Sequence, residues 1–291
     1  MSQPMRCRAI LAGLLLLGGI VFFTGDGWGL PSRALDPYLF GSAERAWSGA
    51  EIVDKGGASW LPDPNRPADA ASGPALDRER MVELNQTDKQ KAKIVRQYRL
   101  YSAQPDEMVT FMSLAGMRGG SFDPRMYQYG GLWIYPVGGL LKAASITGLV
   151  TVKPDLNYYL DRPEEFGRFY RVARVYSGLW GLVGVWAVFA LVRRFSERLI
   201  VPATAAVCFI LLPIVVNGTH EAKPHLAGAV LVMLAALAGA RYVESGTRQW
   251  MLLTGVICGL ASGMVLSAAV AFLVIPLMVV LRPMWWGERV R

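Results

Sequence analysis

The chain holds only two histidines, His220 and His225, and three cysteines, Cys7, Cys208 and Cys258. The cysteines show none of the paired spacings of a zinc site, a redox motif or a disulfide framework. Cys208 and Cys258 fall inside apolar runs, where a thiol serves as a small packing group. No glycine-rich loop of the phosphate-cradling type is present, so a nucleotide site has no sequence support. An A-x-A-like cleavage site is also missing after the first apolar run, residues 9–23, where the chain reads TGDGWGLP. That absence makes the run a retained signal-anchor helix rather than a signal peptide. Arg6 and Arg8 ahead of it place the N-terminus in the cytoplasm.

Apolar residues are abundant. They make up 53% of the 291 residues, with a mean hydropathy of +0.31, and they are massed in long runs instead of being scattered at core periodicities. This is the pattern of a polytopic membrane protein, and it argues against a soluble enzyme with one large core. The net charge of +8 would suggest nucleic acid in a soluble protein. Here the arginines lie in short loops between apolar runs, where they set topology, and no nucleic acid is implied.

Residues 25 to about 128 form a long polar stretch. PDPNRPADAASGP at 62–74 reads as an irregular loop, and the sequons at Asn85 and Asn217 carry weight only in a eukaryotic secretory route. Thr87-Asp88-Lys89-Gln90 fits a capping box for a helix to about Tyr98. Its apolar stripe of Ala92, Ile94, Val95 and Tyr98 is narrow among Lys89, Lys91, Lys93, Arg96 and Arg99. A solvated helix is the simpler reading, and a basic helix on anionic head groups the sharper one. Residues 127–150 are nearly long enough to span, but Pro136, five glycines and Lys142 make them a poor span. The aromatics Tyr127, Tyr129, Trp133 and Tyr135 point to an interfacial, juxtamembrane helix.

Cleaner spans follow at 172–192, 199–216, 226–240, 250–265 and 268–281. If 127–150 does not span, the clusters at 193–198 and 241–248 and the final arginines all share the cytoplasmic side with the N-terminus. The expected fold is therefore all-α and polytopic, with about six transmembrane helices and a long extracytoplasmic first loop containing juxtamembrane helices. Its parts are an N-terminal helix (1–24), an extracytoplasmic loop (25–171) and a five-helix bundle (172–291), in a bacterial inner membrane.

This topology puts two acidic knots on one outer face. Pro105-Asp106-Glu107 opens the helix-like stretch EMVTFMSLAGM. Alone it is adequately explained as helix-start chemistry, since proline and acidic residues suit a first turn. A general base or metal ligand is the functional alternative. The second knot gathers His220, Glu221, Lys223 and His225 at the outer end of two spans. Interfacial anchoring explains one such group more easily than four. A zinc site from His220, Glu221 and His225 matches no known spacing.

The order of these features resembles the GT-C superfamily of integral-membrane glycosyltransferases, in its protein-mannosyltransferase and lipid A aminoarabinose-transferase branch. The landmarks are Gln104-Pro105-Asp106-Glu107, Leu132-Trp133-Ile134-Tyr135-Pro136, Arg174-Val175-Tyr176-Ser177 with Arg193-Arg194-Phe195, and His220-Glu221-Ala222-Lys223. The glycine-rich stretch Thr254–Gly263 resembles the family's next span. Members usually carry further spans beyond this point, so the chain is expected to be an N-terminal fragment or a short member. The resemblance implies transfer of a sugar from a polyprenyl-phosphate carrier to a protein, lipid or glycan acceptor at the outer membrane surface. By position, Asp106 matches the catalytic acidic residue, with Glu107 beside it, and Glu221 resembles the second acidic position. Lys223 and His220 are candidates for the phosphate side, Tyr135 for substrate contact, and Asp106 and Glu221 for a divalent metal ion. The rival reading is a non-catalytic membrane protein, a lipid carrier, flippase or envelope scaffold. A flippase would more often place ionisable groups mid-span.

Overall fold

The computed structural model describes residues 3–56, 88–117 and 121–289; the 62–74 loop, Asn85 and Thr87 lie outside them. In chain order the helices are α1 (Gln3–Phe23), α2 (Asp36–Phe40), α3 (Gly49–Gly56), α4 (Asp88–Leu100), α5 (Glu107–Gly116), α6 (Gly131–Ile146) and α7 (Leu156–Asp161). They continue with α8 (Pro163–Val192), α9 (Ile200–Leu211), α10 (Pro213–Thr219), α11 (His225–Ser245), α12 (Arg248–Met264) and α13 (Val274–Arg289). Short 3₁₀ helices occupy Ala43–Arg45 and Leu266–Leu273. No strand forms among the described residues. The chain divides into two compact units, one of residues 1–26, 127–135 and 174–291, the other of residues 27–126 and 136–173.

Among the described residues three helices, α1, α8 and α11, are long and apolar enough to cross a membrane. A fourth span arises if α9 and α10, bent by 61°, count as one. The bend has a local cause. Pro213 cannot continue the hydrogen-bond ladder, and Leu212 before it takes an extended ψ of 124°, as pre-proline residues do. The sequence expectation of about six spans is thus met only in part. α12 has 17 residues, the lower edge of the roughly 17–25 that span a bilayer. The run at 268–281 is not one helix, because it begins in the 3₁₀ segment and becomes α-helical only at Val274. α6, with 16 residues, falls below that range.

In the first unit, α1, α8, α9 and α10 meet over Leu14, Phe22, Val185, Phe189, Phe209 and Ile210. Gly181 and Gly184 of α8 leave space that the rings of Phe22 and Phe209 fill, the small-residue contact by which membrane helices approach closely. α11 packs on α12 and α13 and ends on Gly246, whose φ of 67° gives a left-handed cap.

The loops of this unit sort to two ends. At one end Arg194 pairs with Glu244, and Arg282 Nη1 donates to the Tyr242 carbonyl at 3.1 Å. The basic clusters after α8, after α11 and in α13 are therefore gathered together. At the other end His220 meets Thr24, Arg174 meets Asp26, and residues 128–130 dock on the break between α12 and the 3₁₀ segment. There Gly130 N–H donates to the Met264 carbonyl at 3.0 Å and Leu266 N–H to that of Gln128 at 3.3 Å. A Cβ at Gly130 would collide with the Gly263 carbonyl oxygen, so only glycine fits. The aromatic cluster at 127–135 is accordingly not all interfacial. Trp133 and Tyr129 are buried, while Tyr127 and Tyr135 stay exposed.

The second unit is organised by a buried ion pair. Asp36 and Arg99 are both fully buried. Arg99 donates from Nη2 to Oδ2 at 2.7 Å and from Nε to Oδ1 at 3.2 Å. Its Nη1 reaches the carbonyls of Trp47 at 3.0 Å and Leu160 at 3.1 Å. Tyr98 O–H donates to Oδ1 at 2.6 Å and Arg33 Nε to Oδ2 at 2.8 Å. Burial pushes the Asp36 carboxyl up, but the donors from Tyr98, Arg33 and Arg99 outweigh it and hold the group below the usual carboxylate range. Burial and the adjacent carboxylate push the Tyr98 phenol up. The expectation of Arg99 as one more solvated or head-group-facing cation is corrected here: α4 turns Ala92, Val95, Arg99 and Leu100 inward, onto α3 and α7.

A pH dependence follows. A carboxyl depressed by folding contributes stability above its unfolded value and loses it as pH falls through its folded value. The thermal midpoint of the full chain should therefore drop below about pH 4, and Asp36→Asn should flatten that part of the profile. A slope unchanged in Asp36→Asn would remove Asp36 as its source.

Candidate functional site

The first acidic knot lies in the second unit. Pro105 and Asp106 form a turn into α5, in which Glu107 N–H donates to the Gln104 carbonyl at 3.0 Å. Asp106 occupies the N-cap position with φ −65° and ψ −21°, and its side chain makes no capping hydrogen bond. Those angles are helical rather than extended, which points the carboxylate away from the N–H groups it would otherwise cap. The residue is exposed. The helix-start explanation thus accounts for the proline and leaves the Asp106 side chain without a capping duty.

Glu107 is its opposite, with no exposed surface. Its Oε2 accepts from Ser102 Oγ, and Ser102 also touches the Gln104 carbonyl at 2.9 Å. Tyr170 O–H braces the preceding segment through the Leu100 carbonyl at 2.9 Å. The turn carrying Asp106 is therefore held from below by Ser102, Glu107 and Tyr170. The sequence reading set Asp106 as the catalytic carboxylate with Glu107 as its neighbour. Burial separates them, one outward and one inward.

The second knot lies in the first unit, between α10 and α11. Lys223 Nζ stands 3.4 Å from Glu221 Oε2, both partly exposed. Ser177 Oγ donates to the Glu221 carbonyl at 2.6 Å, which fixes the turn to α8. Arg174, one turn earlier on α8 and 2% exposed, donates from Nη1 to the Asp26 carbonyl at 2.7 Å. Arg174 and Ser177 entered the sequence reading only as landmarks. Their i, i+3 spacing on one helix face was the available signal that both serve this turn.

The two histidines divide. His220 has Nδ1 at 2.7 Å from the Val216 carbonyl and Nε2 at 2.8 Å from that of Thr24. It ties the end of α1 to the end of α10. His225 begins α11, exposed, with its ring edge-on to Tyr129 at 5.7 Å. Tyr135, in the same unit, is half-exposed on α6.

Among the described residues no group of three or more His, Cys, Asp or Glu side chains gathers as a metal site. The zinc arrangement weighed for His220, Glu221 and His225 is therefore absent. Asp106 and Glu221 do not by themselves make up a ligand set.

No curated protein and no solved structure matches the chain significantly. A family comparison does give a match. It covers residues 166–289 and is to the family described as dolichyl-phosphate-mannose-protein mannosyltransferase. The matched stretch runs from the first turn of α8 to the end of α13 and includes His220, Glu221 and Lys223. Together with apolar helices long enough to cross a membrane, this match supports the chain's membership of the GT-C superfamily of glycosyltransferases.

Proposed function

We propose that the chain is a membrane glycosyltransferase that moves a sugar from a polyprenyl-phosphate donor to an acceptor on the extracytoplasmic face. The family match over residues 166–289 carries the reaction class. Six spans complete the topology, with α12 and the 266–289 segment as the last hairpin and the arginine-rich end of the bundle cytoplasmic.

In the reaction the acceptor hydroxyl attacks the anomeric carbon in line with the departing phosphate oxygen. The new C–O bond forms as the old one breaks, and the electron pair leaves with the lipid phosphate. Asp106 takes the hydroxyl proton, a role open to an exposed carboxylate that is not committed to a helix cap. Glu107 acts through Asp106, by fixing the turn that presents it. Lys223 stabilises the charge on the leaving phosphate. Glu221 holds the lysine in place, and Ser177 and Arg174 hold the backbone around it. His220 ties the ends of α1 and α10 together beside this turn, and Tyr135 contacts substrate. No step is routed through a metal ion.

Lys223→Gln tests the phosphate side. Transfer from a polyprenyl-phosphate donor in proteoliposomes should fall about 10- to 10²-fold, the value of one hydrogen bond to a charged group. Arginine should restore part of the loss. Equal rates for wild type and Lys223→Gln would remove Lys223 from the mechanism.

A further inference from the structure

In the second unit, residues 27–32 form a strap between the first turns of α8 and the segment that leads into the Asp106 turn. Two backbone hydrogen bonds hold it antiparallel to residues 98–103. Ala103 N–H donates to the Gly29 carbonyl at 2.7 Å, and Ser32 N–H donates to that of Tyr98 at 3.2 Å. Gly29 has a φ of 64°, and a Cβ there would stand 2.6 Å from the Ala103 Cβ, so this close approach requires glycine. On the other side Leu30 lies over Gly167 of α8. The strap is thus fixed along both edges.

Trp28, on this strap, is 72% exposed, although tryptophan is highly buried on average. It stands one residue outward from the Gly29–Ala103 bond, and Asp106 stands three residues outward on the paired segment. A chain covers at most about 3.5 Å per residue, so the indole and the exposed carboxylate border one stretch of surface. Arg171 of α8 borders it on the strap's other edge. A Cβ at Gly27 would lie 2.7 Å from the Arg171 Nη2 and 3.6 Å from its Nε. The missing side chain at Gly27 therefore gives the guanidinium its place next to Trp28. Arg171 is itself exposed, and the reaction scheme uses neither residue.

An indole, a fork of N–H donors and a carboxylate are three groups that a pyranose answers together. The C–H bonds on one side of a sugar ring make that face apolar, and it lies flat on an indole, which offers large contact area at low entropy cost. Its rim of hydroxyls accepts from the fixed fork of a guanidinium and donates to a carboxylate. A serine or threonine hydroxyl on a peptide could give its proton to Asp106 as well. It would leave the indole and the fork with nothing to bind.

We infer that the acceptor is a glycan, its terminal pyranose stacked on Trp28 and held through its hydroxyls by Arg171, with the hydroxyl to be glycosylated turned to Asp106. This rests on the glycosyltransferase reading and narrows it. Of the protein, lipid and glycan acceptors that the reaction class admits, the surface around Asp106 in the second unit fits the last. Trp28 and Arg171 bind and orient the acceptor ring and move no proton.

The experiment is saturation-transfer NMR on the full chain in phosphatidylcholine nanodiscs, free of glycoside detergent. The probes are the methyl pyranosides of mannose, glucose and galactose, with a blocked serine tripeptide as control. At least one glycoside should take up saturation on its ring C–H protons, and the peptide should not. Trp28→Leu and Arg171→Gln, both at exposed positions, should each lower that signal about fivefold, the worth of one aromatic contact or one hydrogen bond. Trp28→Tyr should keep most of it, and Tyr38→Leu, at an exposed aromatic outside the strap, should leave it unchanged. A thermal midpoint taken on each variant checks folding. No saturation of any glycoside, an equal signal from the peptide, an unchanged Trp28→Leu, or an equal loss in Tyr38→Leu would each overturn the inference. Asp106→Asn should leave the ring signal intact while lowering transfer. Ring binding without any transfer in wild type would sink the reaction and leave the sugar site standing, so the two readings fail separately.

Discussion

Asp106→Asn is expected to lower sugar transfer by about 10²–10⁴-fold, the range for loss of a positioned general base. The loss should fall on kcat, with KM for the donor little changed, because the amide keeps the shape of the carboxylate and loses only its basicity. The side chain is exposed and makes no capping hydrogen bond, and asparagine is as good an N-cap residue as aspartate. A thermal midpoint measured beside the rate separates lost structure from lost chemistry. If Asp106→Asn kept wild-type transfer, the base would lie elsewhere and the turn at 104–107 would revert to plain helix-start chemistry.

Arg99→Met is expected to destabilise the full chain by about 3–5 kcal/mol, the cost of leaving one buried partner of an ion pair without the other. Asp36 would keep Tyr98 and Arg33 as donors, so the lower half of that range is the better expectation. The Trp47 and Leu160 carbonyls would lose their shared donor. These carbonyls belong to segments far apart in sequence, so the variant should also loosen the α3–α4–α7 packing on which unit two depends. Asp36→Leu combined with Arg99→Met should recover much of the loss, since a buried pair replaced by apolar groups is often neutral. Thermal unfolding of the purified chain in detergent measures both. A single variant as stable as wild type would show that the pair is not the organising contact of this unit.

The helices that sequence reasoning located best are those with a strong local signal. α1, α8 and α11 are marked by uninterrupted apolar runs, and α11 also by Gly246 just past its end. The bend at Pro213 and the 3₁₀ start at Leu266 were missed for different reasons. Pro213 sits inside an apolar run whose hydropathy hides it, while the 3₁₀ segment LSAAVAFL has no breaker at all. Asp36 and Arg99 were invisible as a pair because 63 residues separate them, and no periodicity links residues at that distance. Read locally, Arg99 was one of five cations on a polar helix. At the candidate site the sequence marked Asp106 and its neighbour Glu107, but that one is exposed and the other buried is geometry it does not carry. His220 looked like a phosphate ligand by charge and location, whereas its two nitrogens lie on backbone carbonyls. That difference concerns geometry a sequence does not carry.

The central claim is that the chain takes its sugar from a lipid phosphate and transfers it with Asp106 as base. The direct measurement is single-turnover transfer by the purified full chain in proteoliposomes, supplied in parallel with a radiolabelled polyprenyl-phosphate hexose and with the corresponding nucleotide sugar. The expected result is label on the acceptor fraction from the lipid-phosphate donor alone, lost in Asp106→Asn and restored by Asp106→Glu to a measurable fraction. Label moving from the nucleotide sugar, or transfer from the lipid donor at equal rates in wild type and Asp106→Asn, would contradict it.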